Sequence, residues 1–213
     1  MKLEHIEHLI IDLPDHRGFS YGCNQQWYPR KWQQLSGCAP TIASTMIMLM
    51  MAQNQIPRFM DVHTKEDAIT LMQRLWSYVT PTWGGVSTTT YFAKSLSVFF
   101  DSIDLKVNTN ILDIPAKSKN HLDFDPIVSF IETALSKDMP IAFLNLDHGD
   151  QVALESWHWT IIVSYSQERT NHLIELVDNG KIKVIDIHRW FLTTKKGGGL
   201  VSLEPTPSKN HDG

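Results

Sequence analysis

Cys38 stands in the segment Ser36-Gly37-Cys38-Ala39-Pro40-Thr41, and the residues behind it are almost all apolar. A helix that begins at this point surrounds the sulfur with unpaired N–H groups and the positive end of the macrodipole. Both stabilise negative charge on sulfur, and the thiolate is the nucleophilic form. Gly37 lets the chain pass close beside the sulfur, and Pro40 is at home in a first helical turn. The chemistry on offer is attack by a thiol on a carbonyl carbon. The second cysteine, Cys23, has no such setting and reads as a small buried residue.

A nucleophilic thiol needs a proton carrier. His158 lies in Ser156-Trp157-His158-Trp159-Thr160, at the start of a strongly apolar stretch that holds the imidazole in place and partly away from water. His148, in Asp147-His148-Gly149-Asp150, is the alternative, because that loop can fold over a cleft. A third group must orient the imidazole. Asp178, just before the Asn179-Gly180 turn signal, sits one strand beyond His158, with Asn179, Asp186 and Asp147 as alternatives. Asp-Asn-Gly is also ordinary turn chemistry. Acyl transfer further needs an oxyanion hole, commonly a backbone N–H plus a side-chain amide. The Cys38 N–H is one donor, and Gln25, Gln26, Gln33 and Gln34 precede it. Gln33 and Gln34 must share the tight turn of the nucleophile. Gln25 belongs to a separate loop that Trp27 can pin, and it is the favoured donor.

These residues need elements to hold them. The apolar run 41–53 predicts a buried helix, and 65–79 predicts a second, with Thr64 as its N-cap. A third helix runs to residue 100 behind a Ser87 or Thr88 cap, and Asp125-Pro126 opens a fourth that ends near 137. Before these, a short strand at 7–13 leads into a long irregular loop that packs its aromatics on the body. The period then changes to strands at 140–146, 157–165, 173–178, 182–186 and 200–203, with a two-residue hairpin at Asn179-Gly180. Helices first and antiparallel strands second give an α+β domain over 1–204. Its helical lobe spans about 37–137 and its sheet lobe about 139–204, and a polar tail follows at 205–213.

The chain has 213 residues and a formal net charge of −4, so it carries no basic excess for tracking phosphates and is not expected to bind nucleic acid. No apolar stretch approaches the roughly 20 residues of a membrane span. The N-terminus lacks the basic start and apolar core of a signal peptide, so a cytoplasmic location with reduced cysteines is expected. Without C-x-x-C or H-E-x-x-H, no metal or cofactor is expected.

A cysteine at a helix start, a histidine heading a later strand and an acid at the next strand end resemble a papain-like cysteine peptidase. Gly37-Cys38-Ala39-Pro40-Thr41, His158-Trp159-Thr160 and Val177-Asp178-Asn179-Gly180 are more closely similar to the bacteriocin-processing, double-glycine branch as a stand-alone domain. Asn24-Gln25 followed by Trp27 resembles the amide-bearing loop of such enzymes. Two departures are Ala39 where the family has glycine, and the long spacer between Gln25 and Cys38. The resemblance implies a papain-like helical lobe facing a sheet lobe, with Cys38 as nucleophile, His158 as base, Asp178 as orienting acid and Gln25 at the oxyanion. It implies hydrolysis of a peptide or isopeptide bond in a peptide or protein substrate. An acyltransferase of the transglutaminase kind, or a non-catalytic peptide-binding module, are the alternatives on the same fold.

Overall fold

The computed structural model describes residues 1–14, 18–116 and 123–206. A 3-10 turn, Ile6–Leu9, occupies the start of the segment expected to be a strand at 7–13. Only β1 (Ile10–Asp12) is extended, pairing antiparallel with β2 (Phe19–Tyr21). The aromatics that follow do not all pack inward. Tyr28 is buried, while Phe19 and Trp32 remain about half exposed. Nor is that stretch irregular throughout, because it holds a second 3-10 turn, Gln25–Trp27, and a short helix, α1 (Lys31–Ser36).

The helix α2 (Cys38–Ala52) is buried along nearly its whole length. Its hydroxyls survive burial by bonding back one turn, Thr41 Oγ1 to the Gly37 carbonyl at 2.7 Å and Ser44 Oγ to that of Pro40 at 2.7 Å. Thr64 caps α3 (Lys65–Trp76) in a reciprocal box with Asp67, and Thr88 caps α4 (Thr89–Ser102). The fourth expected helix is α5 (Asp125–Ser136).

The remaining elements form an antiparallel six-stranded sheet. Its strands are β3 (Val107–Ile114), β4 (Ile141–Asn145), β5 (His158–Glu168), β6 (Asn171–Asp178), β7 (Lys181–Asp186) and β8 (Gly198–Pro205), in the order β3-β8-β4-β5-β6-β7. A last helix, α6 (Ile187–Thr193), leaves β7 directly. The expected division into lobes therefore needs one correction. β3 lies inside the segment assigned to the helical lobe, yet it pairs with β8 over its whole length and closes one edge of the sheet. The C-terminal strand also extends through Pro205, and residues 207–213 of the expected tail lie outside the described residues.

One continuous apolar core joins α2, α3 and α4 to the sheet. Trp159 stitches the two halves together. Its ring stacks on Phe92 of α4 at 4.4 Å, and its indole N–H donates to the Val86 carbonyl at 2.6 Å. Among the described residues, no helix is long and apolar enough to cross a membrane.

Candidate active site

Cys38 is the first residue of α2, and no side chain caps that helix at Gly37. No side chain therefore takes the Cys38 and Ala39 N–H groups of its first turn, Pro40 has none, and the Thr41 N–H donates to the Gly37 carbonyl. The position admits no side chain before the cysteine. A Cβ on Gly37 would collide with the Gln33 carbonyl and lie 2.7 Å from the Tyr28 ring.

His158 opens β5 opposite Asn145, the last residue of β4. Continuing the Ile161–Val177 pairing to the strand end sets Asp178 opposite Thr160, on the face that His158 shares. The two side chains meet there, with His158 Nε2 and Asp178 Oδ1 2.7 Å apart. Both are buried, His158 at 8% and Asp178 at 2% exposure. Burial opposes charge on His158, but its bond to Asp178 and its interaction with the Cys38 side chain outweigh that and raise the imidazole to about 10. Burial likewise opposes the carboxylate of Asp178, yet His158 and then Lys183 hold it below its ordinary range. With Nε2 engaged by Asp178, Nδ1 is the nitrogen left to exchange a proton with the sulfur.

The other cysteine is engaged elsewhere. Full burial pushes the Cys23 thiol up to about 12, against a weaker opposing bond from Thr45.

The alternatives to Asp178 have other duties. Asp186 Oδ1 caps α6 through the N–H groups of His188 and Arg189. Asp147 accepts from the Lys195 and Gly149 amides, which hold its carboxyl low. His148, the alternative to His158, is exposed in the same loop, where its backbone N–H donates to Ser156 Oγ. Asn179 sits at φ +47° in the β6–β7 turn and faces the other way. Its Oδ1 accepts the Gln25 N–H at 3.3 Å, and its carbonyl accepts Asn24 Nδ2 at 2.9 Å.

That clamp places the glutamines. Gln34 spends both amide N–H groups, on the Tyr28 carbonyl at 2.8 Å and the Gln26 carbonyl at 3.3 Å, while Gln33 is tied at both ends of its amide to Gln73 on α3, donating at 3.1 Å and accepting at 3.3 Å. Gln26 N–H caps back onto Asn24 Oδ1. Gln25 is buried, and its Nε2 donates to the carbonyl of Gln34 at 2.6 Å, four residues before Cys38. Its Oε1 is buried without a partner. One amide N–H of Gln25 stays uncommitted. The long spacer between Gln25 and Cys38 is filled by α1, which carries the chain back to the start of α2.

A cleft of about 400 Å³ opens beside Cys38, lined by Trp32, Leu35, Trp83, Val86, Leu144 and Trp157 among others. Trp83 is 96% exposed and Trp157 53% exposed at its mouth. Trp157 holds φ +59°, and Lys196 stands over its ring at 4.6 Å.

Sequence reasoning missed three contributors. Trp83 stands between Pro81 and Gly84-Gly85, a local pattern that marks a turn and nothing more. Asn145 is a polar residue ending an apolar strand, and that was the available clue. Its Oδ1 accepts the Trp190 N–H at 2.9 Å, and its Nδ2 donates to the Glu155 carbonyl at 2.7 Å, which anchors the loop leading into His158. Lys183 looked like an ordinary solvent-facing strand residue. As for metals, among the described residues only His5, Glu7 and His8 bring three ligating atoms within 4.8 Å of one another, at the exposed N-terminal turn.

The chain matches no protein-family model and no curated protein.

Proposed function

We propose that the protein is a papain-like cysteine hydrolase that cleaves a peptide or isopeptide bond. The reading rests on one observation above all: His158, bonded to Asp178 at 2.7 Å, interacts with the side chain of Cys38 at the start of a buried helix. Cys38 passes its thiol proton to the imidazole of His158, and the Sγ thiolate attacks the carbonyl carbon. The oxyanion that forms takes hydrogen bonds from the Cys38 N–H and the free amide N–H of Gln25. His158 gives its proton to the leaving amine, and a C–S acyl-enzyme remains. Water, deprotonated by the imidazole, then attacks that carbonyl and releases the acid and the thiol. Asp178 keeps the ring oriented and stabilises the imidazolium throughout. The aromatic cleft beside the sulfur supports a substrate with a bulky apolar side chain near the scissile bond.

The test has two arms. Iodoacetamide at pH 6 should alkylate Cys38 and leave Cys23 untouched, because an ordinary thiol scarcely reacts at that pH. A peptide library read by mass spectrometry should show cleavage that Cys38→Ser abolishes. Added primary amine should leave acid as the main product, whereas amide as the main product identifies an acyltransferase. An inert Cys38 overturns the enzymatic reading altogether.

A further inference from the structure

We infer that Lys183 is a positioning residue of this site, fixing the second oxygen of Asp178 so that the first faces His158. The inference rests on the hydrolase reading for its function, but not for its geometry. Leu176 pairs with Lys183 and Asp178 with Lys181 across β6 and β7, so Asp178 and Lys183 are diagonal neighbours on one face. The Lys183 ammonium donates to Asp178 Oδ2 at 2.6 Å and to the Ala153 carbonyl at 3.1 Å.

Three consequences follow from that geometry. A carboxylate as buried as Asp178 is costly unless it is paired, and His158 satisfies only Oδ1. Held at both oxygens, the carboxylate cannot swing about its terminal torsion, and the imidazole is oriented with it. The Ala153 contact ties the same ammonium to the connection that leads into Trp157 and His158. One side chain thus braces the approach to the base and the acid behind it. Lys183 itself is only partly covered, so its charge stays hydrated while its stem spans the gap. From the elements packed around Asp178, the charged groups that act on it are His158 on β5 and Lys183 on β7.

The experiment compares Lys183→Met, Lys183→Gln and Lys183→Arg with the parent chain. Two readouts are followed against pH: the ¹³C carboxyl signal of Asp178, and the rate at which iodoacetamide alkylates Cys38. In Lys183→Met the Asp178 titration should move to higher pH. The acid limb of alkylation should move with it, lowering the rate at pH 6 by about tenfold. Lys183→Arg should restore both, and Lys183→Gln, which keeps a donor without the charge, should fall between. An Asp178 titration that stays put, with alkylation reduced equally at every pH, overturns the inference and leaves Lys183 a structural strand residue. Should Lys183→Met fail to fold, the Gln and Arg pair decides by the same criterion. If Cys38 of the parent behaves as an ordinary thiol, the hydrolase reading fails, while the Asp178 titration still decides whether Lys183 holds the carboxylate.

Discussion

Asp178 and Asn179 are consecutive, yet they serve opposite sides of the site. Asp178 closes β6 and bonds the His158 ring. Asn179, in left-handed backbone at the turn, holds the Gln25 loop with both its side chain and its carbonyl. A strand end and a tight turn separate the two directions by a single peptide bond. The base side and the oxyanion side of the proposed site are therefore set by one hairpin.

That split predicts two different phenotypes. Asp178→Asn should lower Cys38 alkylation near neutral pH by about tenfold or more, and turnover by about 10²–10⁴-fold, because the imidazole loses its orienting anion. Asn179→Gly keeps the turn, since glycine accepts the positive φ, and keeps the carbonyl that holds Asn24, but removes the side-chain bond to the Gln25 N–H. It should leave alkylation unchanged and reduce only substrate turnover. A variant pair with the same defect in both assays would show that the hairpin acts as one unit.

The His158–Asp178 pair also predicts how stability responds to pH. His158 is raised from its ordinary 6.5 to about 10, so its contribution is fully present below pH 6.5 and is lost as pH climbs towards 10. Asp178 is lowered from 3.8, so its contribution is present above that pH and is lost as pH falls further. The stability difference between the parent chain and Asp178→Asn, measured by urea unfolding, should therefore be greatest between about pH 4 and 6.5 and shrink on the alkaline side. A difference that grows towards pH 10 would mean that His158 is held neutral.

Much of this site was legible because its signals are local. Gly37-Cys38 before an apolar run marks a helix start, and Asp178-Asn179-Gly180 marks a strand end and turn. The antiparallel six-stranded sheet behind helices agrees with the α+β expectation. What escaped depends on context that a short window lacks. β3 reads Val-Asn-Thr-Asn-Ile-Leu-Asp-Ile, and its asparagines suit a strand poorly unless it lies at an exposed edge, which is where it lies. α1 is only six residues long and half exposed, so it has no periodic face to detect. α6 follows β7 without a break, and its start is marked only by the Asp186 cap. Lys183 alternates with apolar neighbours as any surface lysine would, and only the β6–β7 register brings it to Asp178.

The cleft makes a prediction about binding. Trp83 is almost wholly exposed on the tight turn closed by Thr82 and Gly85, so it contributes little to folding. Its ring lies 5.7 Å from that of Trp32 across the mouth of the cleft. Trp83→Ala should leave thermal stability within about 0.5 kcal/mol of the parent, as expected away from packed features. KM should rise by about tenfold for peptides with a bulky apolar side chain next to the scissile bond, with kcat little changed, because the lost contact acts on bound substrate and transition state alike. An unchanged KM across such peptides would exclude this cleft from substrate binding.

Gln25 offers the sharpest test of the oxyanion side. Its Nε2 already spends one N–H on the Gln34 carbonyl, which fixes the direction of the amide and leaves the second N–H to donate. Of the competing amides, Gln34 donates both N–H groups to the Tyr28 and Gln26 carbonyls, and Gln33 is held against α3 by its reciprocal pair with Gln73. Gln25→Ala should lower kcat by about 10²-fold, roughly 2.7 kcal/mol, with KM nearly constant, because an oxyanion donor acts only as charge develops. Cys38 alkylation by iodoacetamide should be unaffected, since that reaction forms no oxyanion. Gln34→Ala keeps its backbone carbonyl and therefore the Gln25 contact. It loses its side-chain bonds to the Tyr28 and Gln26 carbonyls, so its cost should appear as about 1–2 kcal/mol of stability rather than as turnover. If Gln25→Ala turned over normally while Gln34→Ala was crippled, the amide donor would lie within α1, and the clamp that Asn179 places on the Gln25 loop would be structural only.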